Sequence, residues 1–541
     1  MKEPQRIELS QEERDSLLQR LENRELQDSD YQLIAAMVET IDLLSRALEQ
    51  KNISIKRLRG MIFGPKTEKT KNVLKDQEGD EKADDGKDLS KNSPQETEKK
   101  KRKGHGRIGA EKYRDAERVK VAHATLKAKD SCPACLKGKL YPIKKPSVIV
   151  RIAGKAPLQA TVYELERLRC NLCGKVFTAE RPEGCGDEKY DETAGSIIAV
   201  LKYGFGFPFN RLEKLQDNAG IPLPAATQWQ VVEEKAEWIY PVYNELVRLA
   251  AQGEVLHNDD TGVKILELMK SIEDEYEQEP GKESRTGIFT TAIISKLGEH
   301  KIALFYSGRN HAGENMAELL KQREADRSPP IQMCDALSRN VPKDFEVILA
   351  NCNIHARRYF VDIAGIFPVE CTFVLETFKQ LYKNEAQTKK EQMSPERRLE
   401  FHQTQSGPLM KQLKSWLKKQ LAEKKVEPNS SLGQAFAYML NHWTPLTRFL
   451  SVPNAPLDNN ICERALKMAI RHRRNSLFYK TLHGANIGDM YMTIIHTCNL
   501  HGVNAFEYLN VLAKHSAEVF KHPERWLPWN YKQQLEAPKP D

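Results

Sequence analysis

Glu254-Val-Leu-His-Asn-Asp-Asp260 reads as a short apolar strand that ends in two carboxylates. It marks a change of period: the chain before it repeats every three or four residues, the chain after it in short apolar runs. Gly287-Ile-Phe-Thr-Thr-Ala-Ile-Ile294 and Lys301-Ile-Ala-Leu-Phe-Tyr306 read as two more strands, antiparallel neighbours of each other. A helix is predicted at about 311–323. Pro330-Ile-Gln-Met-Cys-Asp335 is then a fourth strand, also ending in a carboxylate, and Phe345-Glu-Val-Ile-Leu-Ala-Asn-Cys352 a fifth that feeds a helix from about His355. Three strands, helix, strand, helix, strand, helix is the order of the ribonuclease H-like fold, in which acids on the first and fourth strands lie side by side.

That placement has a chemical use. Cleaving a phosphodiester builds negative charge on the attacking and leaving oxygens, and two Mg²⁺ ions about 3.5–4 Å apart stabilise both. Mg²⁺ prefers hard oxygen ligands, so several carboxylates must converge. Asp259 and Asp335 supply two. The third is expected from a helix beyond residues 362–451, which read as a lysine-rich helical insertion without strand alternation. After Pro453 and Pro456 comes Leu457-Asp-Asn-Asn-Ile-Cys-Glu463, whose Asp/Asn cluster suits a helix cap and puts Glu463 on the first turns. Arg464, Lys467, Arg471, Arg473 and Arg474 make that helix and its exit basic, as a DNA backbone beside the metals would require. Each acid alone is ordinary, since an Asp ending a strand is often a turn former and Glu463 can pair with Lys467 at i+4. Their shared topology raises them together.

Upstream, residues 188–250 read as helices. Leu201-Lys-Tyr-Gly-Phe-Gly-Phe-Pro-Phe-Asn-Arg-Leu212 breaks at its glycines, and a short helix to Gly220, a turn at 222–227 and a longer helix over 228–250 resemble a helix-turn-helix as much as a plain connector. Before them, Cys132-Pro-Ala-Cys135 and Cys170-Asn-Leu-Cys173 are joined by alternating stretches, Ser147-Val-Ile-Val-Arg-Ile152 and Ala160-Thr-Val-Tyr-Glu-Leu165, that read as strands. Two such turns joined by strands describe a zinc ribbon, with Cys132, Cys135, Cys170 and Cys173 as thiolate ligands of a structural Zn²⁺. Residues 65–110 are too polar to fold alone. They end in Lys99-Lys-Lys-Arg-Lys-Gly-His-Gly-Arg107, where Lys101, Arg102, Lys103 and Arg107 suit phosphate contact or simple solvation. Ile34, Met37, Ile41, Leu44, Leu48, Lys51, Ile55, Leu58 and Ile62 form a heptad seam, read as a coiled coil joining protomers or one amphipathic helix.

The expected architecture is thus multidomain α+β. A coiled-coil helix covers 1–64, a charged linker 65–110, a zinc ribbon 111–187 and a helical segment 188–250. A ribonuclease H-like core takes 251–361 and 452–500, around the insertion 362–451, and a tail covers 501–541. The bulk figures agree. The 541 residues suggest roughly three or four structural units, and 40% hydrophobic residues suffice for their cores. The net charge of +8 permits a nucleic-acid partner without demanding one. No apolar run of about 20 residues is present and the start is polar, so no membrane partner and a cytosolic location are expected. Ten cysteines in so long a chain are not a disulfide framework.

Taken together, these motifs resemble the insertion-sequence-66 family of transposases over nearly all of residues 30–530. Met61-Ile-Phe-Gly-Pro-Lys-Thr-Glu-Lys69 resembles the segment after that family's leucine zipper, and the paired Cys turns its zinc-binding domain. His257-Asn-Asp-Asp-Thr261 is similar to its H-x-D-E-T motif, with Asp260 where Glu is usual. Cys334-Asp335 resembles the second-acid segment, without the glycine and tyrosine that usually follow. Asn351-Cys-Asn-Ile-His-Ala-Arg-Arg358 resembles the H-A-R-R segment, with Asn353 where tryptophan is frequent. Asp458-Asn-Asn-Ile-Cys-Glu-Arg464 resembles D-N-N-x-x-E-R, and His496-Thr-Cys-Asn-Leu-His-Gly-Val-Asn504 and Leu527-Pro-Trp-Asn530 resemble its tail.

The resemblance implies a DDE transposase of the bacterial cytosol that binds the inverted repeats of its own element. It implies a hydrolytic nick giving a 3′-hydroxyl, then in-line attack on target DNA. Asp259, Asp335 and Glu463 would hold Mg²⁺ (or Mn²⁺), with His355, Arg357, Arg358, Arg464 and Arg473 near the double-stranded DNA. The heptad helix would pair protomers into a homo-oligomer, and accessory proteins of the same element are possible partners. The rival readings are a catalytically inactive zinc-ribbon DNA-binding protein and a structure-specific nuclease on the same fold.

Overall fold

The computed structural model describes residues 188–278 and 285–536 continuously, with 157–169, 176–180 and scattered single positions before them. The heptad seam, the charged linker with its basic run and all four ribbon cysteines lie outside the described residues. The chain divides into two compact units, one holding Asp84–Arg181 and Glu213–Leu223, the other most of the remainder.

In the smaller unit, β1 (Arg167–Arg169) pairs antiparallel with β2 (Val176–Thr178). The strand expected over Ala160–Leu165 is not formed: the backbone there is irregular, and strand structure starts at Arg167. Alternation alone does not make a strand; a partner does. Val162 is 83% exposed and Tyr163 51%, whereas Arg167–Arg169 lies opposite β2.

The larger unit opens with α1 (Glu192–Ala199), capped by Asp191 accepting from the Ala194 N–H at 3.0 Å. It passes into a π-turn at Val200–Gly204 and ends where Gly206 takes φ +71°, so the chain does break at its glycines. α2 (Phe209–Asn218) follows, its residues from Glu213 on counted with the smaller unit, and then α3 (Ala225–Ala250). α3 buries Val232, Ala236, Ile239, Val242, Leu246 and Ala250, one face at helical spacing.

Then comes a five-stranded mixed sheet, in the order β5–β4–β3–β6–β7. β3 (Val255–Gly262) at its centre runs antiparallel to β4 (Phe289–Leu297), which pairs antiparallel with β5 (His300–Gly308). On the other side β3 runs parallel to β6 (Ile331–Cys334), and β6 parallel to β7 (Ile348–Asn351). All five anticipated strands form. Two connections differ from expectation. A helix absent from the sequence reading, α4 (Leu266–Gln278), joins β3 to β4; Leu266, Met269, Ile272 and Tyr276 recur at helical spacing, and among its described side chains Ile272 alone is buried. Between β6 and β7 the expected order has a helix, but the chain makes only a 3₁₀ turn at Ser338–Asn340. α5 (Ala312–Leu320) lies against that turn, where a Cβ on Gly313 would come within 2.6 Å of the Arg339 and Val341 carbonyls.

After β7 come α6 (Asn353–Ile363), α7 (Pro368–Lys390), α8 (Pro395–Gln405), α9 (Gly407–Ala422) and α10 (Ser431–Asn441). These helices share the sheet's own core: Val255, Ile331, Met333 and Ala350 form one hydrophobic cluster with Phe360, Phe378, Leu413 and Phe436. α11 (Asn460–Ser476) and α12 (Leu482–Leu500) follow, and shorter helices at Ala505–Lys514, Ser516–Lys521 and Tyr531–Glu536 come after them. α12 covers the open edge of β5. Thr497, Thr493 and Asp489, four residues apart on one helix face, accept the backbone N–H groups of Ala303, Phe305 and Ser307 at 3.1, 3.2 and 2.6 Å. No helix among the described residues is long and apolar enough to cross a membrane.

Candidate active site

Side chains alternate along a strand, so Val255, His257 and Asp259 share one face of β3 while Asn258 and Asp260 share the other. The β3–β6 register pairs His257 with Met333. Two residues further along each chain stand Asp259, inside β3, and Asp335, just past the end of β6. The Asp259 carboxyl is pushed up to about 7, first by burial and then by the negative charge of Asp335, with Asp260 and Glu463 adding to it. Its Oδ1 accepts the Asp260 N–H at 2.9 Å. Glu463 arrives from the first turn of α11. Its Oε1 is buried without a hydrogen-bond partner and lies 3.9 Å from His355 Nε2. The ligand atoms of Cys352, His355 and Glu463 all fall within 4.8 Å of one another. Burial raises the Cys352 thiol to about 11, which keeps it protonated at neutral pH.

A buried polar network sets the acids in place. Asn340 Nδ2 donates to Asp335 Oδ1, and its carbonyl accepts from Asn258 Nδ2 (2.8 Å) and Gln332 Nε2 (2.7 Å). Gln332 also donates to Asn258 Oδ1 at 2.8 Å. On the opposite flank, the Asn459 side chain reaches β3. Its Nδ2 donates to the Asn258 carbonyl at 3.0 Å and its Oδ1 lies 3.1 Å from His257 Nδ1. That contact fixes the tautomer: His257 Nδ1 carries the proton and donates it to Asn459. Burial drives the His257 pKa down to about 3, so the ring is neutral. Asn459 occupies the cap position of α11, but its side chain makes no capping bond, contrary to the sequence reading. The short bond at this helix start is Asp458 Oδ1 accepting the Asn460 N–H at 3.1 Å.

The remaining predicted residues separate. Arg358 lines a pocket of about 380 Å³ with Asp335, His355, Tyr359, Asp362 and Tyr438. Arg357, its neighbour, is only 9% exposed and turned into the fold. Arg473 donates to Thr261 Oγ1 at 3.2 Å and to the Gly262 carbonyl, tying α11 to the end of β3. Arg464, Lys467, Arg471 and Arg474 are all exposed, and steps of three and four put them on one helix face. Lys101, Arg102, Lys103, Arg107 and Cys132, Cys135, Cys170 and Cys173 are outside the described residues.

Sequence reasoning gave Asn459 no role beyond the Asp/Asn cap, and none to His257 or to the cluster around Asp260. The Asp260 carboxylate, 3% exposed, meets His311 Nδ1 at 3.3 Å and Arg339 Nη2 at 3.4 Å on the face away from Asp259. The period of β3 was the available signal for His257. None existed for His311 or Arg339, which come from distant loops.

A family model described as Transposase IS66 family matches residues 189–487, a span that runs from before α1 into α12 and takes in Asp259, Asp335 and Glu463. The chain is 25% identical over 417 residues to an uncharacterized protein of Sinorhizobium fredii, y4jD, covering 74% of this chain and 78% of that one. It is 24% identical over 449 residues to a second uncharacterized protein of the same organism, y4hP, covering 77% and 76%.

Proposed function

Because the chain belongs to the IS66 family of transposases, we propose that it binds the inverted repeats ending its own element and catalyses metal-dependent DNA cleavage and strand transfer. The observation that carries this reading is that carboxylates from three separate parts of the chain act on one another: the charges of Asp335 and Glu463 both raise Asp259. Asp259 lies within β3 and Asp335 just past the end of the parallel strand β6, and Glu463 comes from a helix beyond the insertion with a buried, unpartnered oxygen. The strand order β5–β4–β3–β6–β7 supports a ribonuclease H-like core.

The three carboxylates fit Mg²⁺ or Mn²⁺. They offer hard oxygen donors, and a cation would offset both the burial and the neighbouring negative charge that hold Asp259 protonated up to about 7. When bound, the ions activate the attacking oxygen and stabilise the leaving one. The chain's own residues do the positioning. His355 and Arg358 border the pocket beside Asp335, where they hold a scissile phosphate. The row Arg464, Lys467, Arg471, Arg474 follows a DNA backbone away from the acids. Arg473 fixes α11 instead of contacting DNA. The zinc ribbon at Cys132, Cys135, Cys170 and Cys173, the basic run and the α2–α3 segment recognise element ends, and the heptad helix pairs protomers for synapsis.

The test is strand cleavage of a labelled duplex carrying the element's end, with Mg²⁺, by wild type and Glu463→Gln. Cleavage by wild type that vanishes in the variant is expected. Equal cleavage by both removes Glu463 from the site, and tight binding without cleavage by either overturns the catalytic reading.

A further inference from the structure

A second concave surface lies on the same face of the sheet as Asp259, toward the start of β3. This groove of about 390 Å³ is walled by the β4–β5 hairpin, by α7 and by the 454–464 segment. Five cations line it, Lys296, Lys301, Lys389, Arg398 and Arg464, against two carboxylates, Glu385 and Asp458. Glu385 is already neutralised. Lys389 and Arg398 each reach it at 3.0 Å, and fully buried His402 adds a third contact at 3.0 Å. Those partners hold its pKa down to about 2 despite burial.

The other three cations have nothing comparable. Lys296 and Lys301 face each other in the β4–β5 register, and neither ammonium makes a hydrogen bond or ion pair among the described residues. The Arg464 guanidinium makes none either. Burial, with Lys301, Lys389 and Arg398 close by, pulls the Lys296 ammonium down to about 8. Like charges gathered in a concavity, with Asp458 the one lining carboxylate left against three cations, are stabilised by a polyanion. Which polyanion follows from what the groove lacks. No Phe, Tyr or Trp lines it, so it has no platform for stacking an unpaired base. What remains is recognition of a row of phosphates.

We infer that this groove binds the sugar-phosphate backbone of duplex DNA, with Lys296 and Lys301 as its principal phosphate contacts, at a place separate from the phosphate pocket beside Asp335. The inference rests on the transposase reading and extends it. Arg464 belongs both to this groove and to the basic row on α11, so one duplex reaches both.

The test uses the full chain and a fluorescein-labelled duplex of arbitrary sequence, titrated at several salt concentrations. The double variant Lys296→Gln/Lys301→Gln is expected to bind roughly tenfold or more weakly at low salt, with a salt slope shallower by about 2, near one unit per lysine. Its thermal melt should match or exceed that of wild type, because a repelled buried cation is gone. In wild type, duplex should slow acetylation of Lys296 and Lys301 as read by mass spectrometry. Unchanged affinity and slope, with both lysines acetylated at the free rate, overturn the groove. Protection by tripolyphosphate but not by duplex overturns DNA as the occupant. Glu463→Gln separates this inference from its premise: that variant should keep the full salt slope while losing cleavage. If wild type binds no duplex at all, the transposase reading fails first.

Discussion

Asn459 Oδ1 accepts a hydrogen bond from His257 Nδ1 at 3.1 Å, joining the residue that opens α11 to the strand that carries Asp259. The same residue's Nδ2 bonds the Asn258 carbonyl, and its N–H donates to Cys352 Sγ at 3.3 Å, just before α6. Its own carbonyl accepts the Glu463 N–H at 3.1 Å. One fully buried side chain therefore locks the helix bearing the third acid to the strand bearing the first.

Asn459→Ala is predicted to lower both stability and cleavage although no carboxylate is touched. It strands two buried partners, His257 Nδ1 and the Asn258 carbonyl, at about 1–3 kcal/mol each. A thermal melt and the cleavage assay check this together. Asn459→Asp keeps the acceptor for His257 but loses the donor to Asn258, and should fall between. A variant with wild-type melt and wild-type cleavage would remove Asn459 as a positioning residue.

The second prediction concerns pH. Asp259 has a folded pKa of about 7 against an ordinary value of 3.8. Above 3.8 the unfolded chain releases a proton that the folded protein keeps, so this one group's contribution to the stability of the metal-free protein is lost as pH rises from about 4 to about 7. Asp489, also about 7 through burial, acts with the same sign. Mg²⁺ relieves Asp259 only. Buried His257, His472 and His496, held at about 3, 3 and 4, act with the opposite sign over the same window, so the Asp259 contribution is read as a difference: relative to Asp259→Asn, the metal-free wild-type melting temperature should fall from about pH 4 to about 7, and added Mg²⁺ should stabilise wild type more at the alkaline end of that window than at its acidic end. An Mg²⁺ effect independent of pH would take Asp259 out of the metal site.

Much of this centre is legible in the sequence, for physical reasons that also set the limit. β3, β6 and β7 are short apolar runs ending at polar residues, so their existence and the placement of Asp259 and Asp335 follow from pattern. Glu463 follows from order along the chain. The pattern does not say where a buried amide points. Asn459 looks like a helix cap in sequence because Asn caps helices, yet here it is spent on His257 and Asn258. The Asn258–Gln332–Asn340 network joins three separate segments, and nothing local to any of them announces it.

The edge of β5 gives a third prediction. Thr493 and Thr497 are fully buried and accept the Phe305 and Ala303 N–H groups. Replacing either by isosteric Val leaves an N–H without a partner, at about 1–3 kcal/mol each. The two bonds are separate, so Thr493→Val and Thr497→Val should add in a denaturant titration. A double variant as stable as wild type would mean that α12 covers this edge by packing alone.

Two adjacent arginines give the fourth. Arg358 is half-buried at the pocket beside Asp335, while Arg357 is turned inward. Truncating Arg358 to Ala should weaken cleavage and DNA binding with little change in the melt, since it removes a phosphate contact. Truncating Arg357 should do the reverse: it removes a buried cation and the packing of its stem, at about 3 kcal/mol. Any cleavage it loses should return when the assay is cooled below its melting transition. Melts and cleavage rates of both variants decide the matter. If Arg357→Ala melted like wild type yet failed to cleave at every temperature, the inward arginine would belong to the reaction, and the assignment of the pair would have to be exchanged.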